Sequence, residues 1–342
     1  MNMDIPLSVA TVLRHNNAIG DLTCGLRVVV VLGSTATGKT ALSIALARHL
    51  GGEIVNADSR YLYRGMDIGT AKPTEHERDG IPHHLIDIRE PTESYGLSTF
   101  LADAFAAIEE VGRRGKVPFV AGGTPQYLRA LIEGWQVPEV EPDWELRQRL
   151  EQQPASELFA RLRQIDPETA SQADPANKRR LIRAIEVYER TGQPLSAIAG
   201  QSPPPYQFFI VGLRQERGIL YPRIDQRVRD MYDEGWLDEV RRLRELGVTR
   251  EMPSMTAHGY REALDVVEGR LKMEEAIRQT QAMIHRYVRH QSTWFRKFPS
   301  IHWYDSTTPG YEQQVIASVR AFVSSSVERQ EDPEGSQESA SH

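Results

Sequence analysis

Three features of this chain predict an α/β fold, a parallel sheet with flanking helices and an inserted helical subdomain. The first is LRVVVVL, Leu26 to Leu32, an apolar β-branched run ending at a glycine, the pattern of a strand covered on both faces. The second is the alternation of helical and strand periodicity that follows, through EIVNAD and VPFVAGG. The third is a helical, charged stretch bracketed by prolines, from VPEVEPDWELRQRL to SPPPY, after which QFFIVGL returns as strand.

Taken in order, the first strand runs into GSTATGKT, Gly33 to Thr40, which has the Gly-x-x-x-x-Gly-Lys-Thr spacing of a phosphate loop and makes the sheet P-loop NTPase-like. Glycine lets the backbone N–H groups of Gly33, Ser34, Thr35, Ala36, Thr37 and Gly38 curl round an anion, and the helix N-terminus adds partial positive charge. Lys39 reaches the terminal phosphate and the Thr40 hydroxyl can ligate Mg²⁺. The helix beyond carries Leu42, Ile44, Leu46 and Leu50 and stops at Gly51-Gly52. EIVNAD is the second strand and is followed by a long loop; Leu97 to Gly115 is a helix; VPFVAGG is a further strand. Gln207 to Leu213 rejoins the sheet, and helical periodicity fills Glu216 to about Phe298. The expected organisation is a flexible leader over 1–25, a first part of the core over 26–135, an inserted helical subdomain over 136–205, the remainder of the core over 206–325, and a disordered acidic tail over 326–342.

Composition narrows the function classes. Apolar residues make up 40 % and charged ones 26 %, the balance of a soluble globular protein, and no run approaches the length that crosses a bilayer. The first residues carry an acid where a secretion signal has a basic region. Cys24 is the only cysteine, which excludes a disulfide framework and a cysteine zinc site and fits the cytoplasm. Much of the net charge of −6 sits in the tail, where Glu328, Glu331, Asp332, Glu334 and Glu338 face Arg329 alone. Two segments are basic: KRRLIR, Lys178 to Arg183, and Arg278 to Phe298, which holds five basic residues and no acid. Such segments suit an anionic partner, although a solvated helix face has the same composition.

Two more strands end in residues capable of chemistry. In open parallel sheets ligands sit outside the carboxyl ends of the strands, so Asp58 after EIVNAD and Thr124 after VPFVAGG should lie near the phosphate loop. From position alone Asp58 reads equally as a helix N-cap or a second Mg²⁺ ligand, and Thr124 as a helix cap.

The run DSRYLYRGMDIGTAKP, Asp58 to Pro73, separates these readings. With GSTATGKT, IPHHLIDI, AGGTPQYLRALIEG, NKRRLIRAIEVYERTG, RIDQRV, HGYRE and RHQSTWF, it makes the chain from about Val28 to Tyr304 resemble the bacterial tRNA dimethylallyltransferases, also called isopentenyl-tRNA transferases or the IPP transferase family. The resemblance implies transfer of a five-carbon allylic group from dimethylallyl diphosphate to the exocyclic amine of the adenosine immediately 3′ of the anticodon, with release of diphosphate. It implies that the loop holds the donor's diphosphate with Mg²⁺, Asp58 acts as base, Thr124 sits at the bridging oxygen and Arg227 on the diphosphate. Arg223, one helical turn before Arg227, shares its face or forms a surface pair. The same likeness assigns tRNA contacts to Asp58, Ser59, Arg60 and Tyr61, to Pro125, to Arg179, Arg180, Leu181, Ile182 and Arg183, to His258, Gly259, Tyr260 and Arg261, and to Arg286, Arg289 and Trp294. For Tyr260 and Trp294, core packing competes with base stacking. The inserted subdomain would clamp the anticodon arm of the tRNA partner, with no membrane partner and a monomer expected. Departures from the family pattern are Ser34 and Thr37 in the loop, Tyr61 for a frequent glutamine, Pro125-Gln126 for glycine-leucine and His290 for arginine. Rival readings are a P-loop small-molecule kinase using ATP, a prenyltransferase of free adenine nucleotides, and a non-enzymatic RNA-binding protein on the same scaffold.

Overall fold

A computed structural model of the protein describes residues 25–325; Cys24, the expected leader up to residue 24 and the expected tail from 326 lie outside the described residues. The first half of the core comprises β1 (Leu26–Gly33), α1 (Lys39–Leu50), β2 (Gly52–Asn56), α2 (Glu75–Arg78), β3 (His83–His84), α3 (Leu97–Arg113), β4 (Val117–Gly122) and α4 (Pro125–Glu133). A ribbon of β5 (Trp135–Gln136) and β6 (Gly200–Gln201), paired antiparallel, closes the neck of a helical excursion. That excursion holds α5 (Trp144–Glu151), α6 (Ala155–Ile165), α7 (Pro167–Gln172), α8 (Lys178–Thr191) and α9 (Leu195–Ile198). The chain then forms β7 (Tyr206–Arg214), α10 (Arg217–Asp233), α11 (Trp236–Glu245), α12 (Tyr260–Val267), α13 (Met273–Phe295), β8 (Ile301–Asp305) and α14 (Tyr311–Ser324).

Six strands form one parallel sheet in the order β3-β2-β4-β1-β7-β8. The apolar run of β1 is explained by its position. Val28, Val30 and Leu32 face a core with Phe100, Ile108, Leu128 and Phe295, from α3, α4 and the end of α13. Val29 and Val31 face the opposite core with Leu42 and Leu46 of α1 and Val315 and Val319 of α14. All five β1 side chains are fully buried. The α1 helix stops at Gly51, whose left-handed backbone (φ 67°) returns its N–H to the Ala47 carbonyl.

The excursion has its own core of Leu146, Leu150, Leu158, Leu162, Leu181, Ile182 and Ile185. At its base the fully buried Glu186 receives Arg147 through two hydrogen bonds of 2.7 Å, Arg183 at 2.6 Å and the Asp143 N–H at 2.8 Å.

A third core joins α10 to α13 and takes in Tyr63 and Met66 from the loop after β2. That loop is tied down by one carboxylate. Glu239, only 2 % exposed, accepts the N–H groups of Asp67 (2.9 Å), Ile68 (2.7 Å) and Gly69 (3.4 Å) and the Tyr260 hydroxyl (2.6 Å). Gly69 is required because a Cβ there would lie 2.1 Å from Trp236 Nε1. Replacing Glu239 by Ala strands the buried Tyr260 hydroxyl and three part-buried N–H groups, so Glu239→Ala should lower unfolding free energy by about 3 kcal/mol. Urea denaturation measures this; an unshifted midpoint would contradict the assigned anchor.

Candidate active site

The carboxyl ends of β1, β2 and β4 converge. A Cβ on Gly122 would lie 2.2 Å from the Ala57 carbonyl carbon, so only glycine lets the ends of β4 and β2 approach this closely. Asn56 then shapes the turn: its Oδ1 accepts the Asp58 N–H at 2.9 Å, and its Nδ2 donates to the Asp58 and Leu85 carbonyls at 2.9 Å each. The Arg60 N–H donates to Asp58 Oδ1 at 3.0 Å, which leaves Oδ2 directed at Gly123, 3.3 Å from where a Cβ on that residue would stand. Lys39 Nζ is 3.6 Å from the same point. Thr124 Oγ1 accepts the Ser59 N–H at 3.0 Å and lies 3.2 Å from Ser59 Oγ, so the starts of the two loops are stitched together.

The phosphate loop caps α1 through Gly38 in the left-handed region (φ 93°). Thr37 Oγ1 and Lys39 Nζ both donate to the Ser34 carbonyl at 2.8 Å. Burial lowers the Lys39 pKa to about 8; the Asp58 carboxylate opposes the drop and the Arg227 guanidinium adds to it. Arg227, on α10, therefore acts electrostatically on the loop lysine. Arg223, one turn earlier, reaches the Ala36 carbonyl at 3.2 Å. Burial, with Asp58 assisting and Arg227 opposing, raises the Tyr61 hydroxyl far above its usual range, and that hydroxyl donates to the Ala71 carbonyl at 3.0 Å.

Sequence reasoning missed the residue that joins these pieces. Gln291 of α13 is fully buried; its Oε1 accepts the Thr35 N–H at 3.0 Å and its Nε2 donates to the Gly123 carbonyl at 2.6 Å. The Tyr287 hydroxyl donates to that carbonyl at 3.0 Å, and Ser292 Oγ lies 3.3 Å from Ser34 Oγ. A signal existed: Val288, Gln291 and Phe295 share one buried face of α13, and a lone amide on such a face needs a partner.

Other predicted contacts divide sharply. Arg179, Arg180, Arg286 and Arg289 are exposed, and Trp294 is half-buried with its indole N–H on His290 Nε2 at 2.9 Å. Several other residues expected to contact tRNA are engaged within the protein. Tyr260 is fully buried against Trp236 with its hydroxyl on Glu239, so its ring face is unavailable to a base. Gly259 is buried beside Trp236, Pro125 is buried in the first turn of α4, and Leu181 and Ile182 belong to the core of the excursion. Arg183 is committed to Glu186 and to the Val140 and Pro138 carbonyls. Arg261 Nε donates to the Arg250 carbonyl at 3.2 Å.

Among the described residues no cluster of three or more His, Cys, Asp or Glu side chains forms a metal cage. The half-buried Thr40 hydroxyl beside Lys39 fits Mg²⁺, which takes one or two protein oxygens and completes its shell with phosphate oxygens and water. No described helix is long and apolar enough to cross a membrane.

The IPP transferase family model matches residues 61–298, and the isopentenyl transferase model matches 26–94. A tRNA dimethylallyltransferase of Thermomicrobium roseum is 48 % identical over 312 residues, covering 90 % of this chain and 93 % of the relative. The crystal structure of a tRNA isopentenylpyrophosphate transferase from Bacillus halodurans is 38 % identical with a TM-score of 0.64, covering 87 % of this chain and 95 % of that one. A eukaryotic dimethylallyltransferase captured acting on tRNA is 29 % identical with a TM-score of 0.74, covering 88 % and 80 %.

The lowered Lys39 pKa gives a pH signature. Below about 8 the ammonium is charged before an anion arrives; above it, binding must first restore the proton. The Kd for inorganic diphosphate should therefore weaken by up to about tenfold per pH unit above that value. Lys39→Arg, always charged, should lose this component in isothermal titration; an identical pH slope in the variant would contradict the assignment.

Proposed function

The chain belongs to the IPP transferase family, and on that premise we propose that it moves the dimethylallyl group of dimethylallyl diphosphate to the exocyclic amine of the adenosine immediately 3′ of the anticodon in tRNA. Diphosphate is released. The observation that carries this reading is the convergence of the Asp58 carboxylate and Lys39 at Gly123, which Gln291 ties to the Thr35 amide of the loop.

The adenine amine is a weak nucleophile because its lone pair is delocalised into the ring. It must lose a proton as it attacks the first donor carbon, and Asp58 Oδ2 is the oxygen left for it, since Oδ1 already accepts from Arg60. The donor's C–O bond breaks as the C–N bond forms, and negative charge grows on the diphosphate. Loop N–H groups, Lys39 and Arg227 stabilise that charge, with the Lys39 ammonium turning from the Ser34 carbonyl to the phosphate. Mg²⁺, held in part by Thr40, supplies further charge neutralisation when bound. Thr124 is positioned by Ser59 for the bridging oxygen. The target base must leave its stack, at a cost of a few kcal/mol that contacts elsewhere on the tRNA offset. Exposed Arg179, Arg180, Arg286 and Arg289 suit those phosphate contacts.

Label from dimethylallyl diphosphate, offered with Mg²⁺ and either unmodified tRNA or AMP, should enter tRNA; label in AMP alone would overturn the substrate. In that assay Asp58→Ala should lower turnover by about 100-fold or more while tRNA affinity stays nearly constant. Lost tRNA binding with turnover per complex intact would remove Asp58 as base. Arg179→Ala and Arg286→Ala should each reduce the slope of log K against log salt by roughly 1. Arg183→Ala should instead lower the melting temperature, because it strips the buried Glu186 of one partner.

A further inference from the structure

Helix α10 brings Arg223 and Arg227 to the phosphate loop, yet its own first turns are weak. Gly218 stands in the opening turn, and Pro222 lies inside the helix. Proline has no N–H to give, so the Gly218 carbonyl loses its helical partner just before Arg223. The alignment of the helix on either side of Pro222 then depends on what packs against it.

One side chain of α13 touches both sides. The His285 ring stacks on Tyr221, with centroids 4.0 Å apart and 12° between the planes. Its Nε2 stands 2.9 Å from Asp225 Oδ1. Both atoms are sealed from solvent, and neither has another hydrogen-bond partner among the described residues. Two bare lone pairs at that distance would repel, so a proton lies between them, carried on Nε2 whether the ring is neutral or cationic. Gln281 Nε2 adds a bond to the Asp225 carbonyl at 3.0 Å.

The seam closed in this way ends on the phosphate loop. Leu220, Ile224 and Val288 are buried together, and Ala36 packs against them. Ala36 holds a left-handed backbone (φ 64°), and its carbonyl accepts Arg223 at 3.2 Å.

We propose that His285 is a positioning residue for the donor's diphosphate: by gripping Tyr221 and Asp225 across Pro222, it holds α10 where Arg223 and Arg227 serve the phosphate loop. The inference deepens the functional reading above and rests on it for the role of Arg227. Asp225 falls between the two arginines, and residues two apart on a helix point to different faces. The carboxylate therefore turns to α13 while the arginines turn to the loop.

The test is calorimetric titration of the full-length protein with inorganic diphosphate, below the unfolding transition of every variant used. His285→Phe keeps a ring for Tyr221 and removes the donor to Asp225; its Kd should weaken by about tenfold. His285→Gln offers an N–H near the place of Nε2 and should stay within about threefold of wild type. In an Arg227→Ala protein, His285→Phe should add less than about threefold, because an arginine whose place the grip sets is already gone. A residue that served only stability would lower the melting temperature without this dependence on Arg227. Unchanged affinity in His285→Phe, an equal loss with and without Arg227, or a glutamine variant as weak as the phenylalanine one would overturn the proposal. Label transfer to tRNA by the wild-type protein is read separately: its absence defeats the functional reading, whereas transfer with unchanged diphosphate affinity in His285→Phe defeats only the positioning role.

Discussion

Everything at this site depends on how closely the ends of β2 and β4 approach each other. Gly122 admits the Ala57 backbone where any side chain would collide, and the next residue, Gly123, presents one carbonyl that receives both Gln291 and Tyr287. Through Gln291 the same α13 side chain also holds the Thr35 amide of the phosphate loop. A buried amide of this kind contributes little while satisfied, but leaving its partners unpaired costs about 1–3 kcal/mol for each group. That asymmetry fixes the spacing between the loop, the strand end and the helix.

The reactive geometry is thus shared between the sheet and the carboxyl-terminal helices. Asp58 begins a loop whose near end is held by Asn56 and Arg60 and whose far end is held by Glu239 on α11. Tyr63 and Met66 pack between those ends into the helical core. The loop thus runs from the carboxylate at the sheet edge to an anchor among the carboxyl-terminal helices. The electrostatics follow the same logic. Lys39 carries a pKa lowered to about 8 because burial and Arg227 outweigh the help from Asp58, a destabilised charge that a bound anion would relieve.

Much of this was legible in the sequence, for identifiable reasons. The run Val28 to Leu32 declares a doubly buried strand because every residue on both faces is apolar, and the glycines at 33, 38 and 51 mark where the backbone turns. Position at a strand end was enough to bring Asp58, Thr124 and the phosphate loop together. By contrast, β3 is a two-residue stub inside a loop, too short for any alternation to register. The edge strand β8, IHWYD, is half-exposed and mixes polar with aromatic residues, so it gives no buried-strand signal. Tyr260 and Arg183 misled for a related reason. Residue type alone does not distinguish an aromatic or a cation offered to RNA from one consumed by a buried carboxylate, and here Glu239 and Glu186 consume them. Gln291 escaped notice because its partners, the Thr35 amide and the Gly123 carbonyl, are backbone groups distant in sequence.

The most direct measurement is a crystal structure with a thiodiphosphate analogue of the prenyl donor that cannot react. The account predicts its phosphates at about 3 Å from the amides of residues 34–40 and from Lys39 Nζ, with the allylic carbon facing Asp58 Oδ2. Phosphates held elsewhere, with Lys39 still on the Ser34 carbonyl, would contradict it.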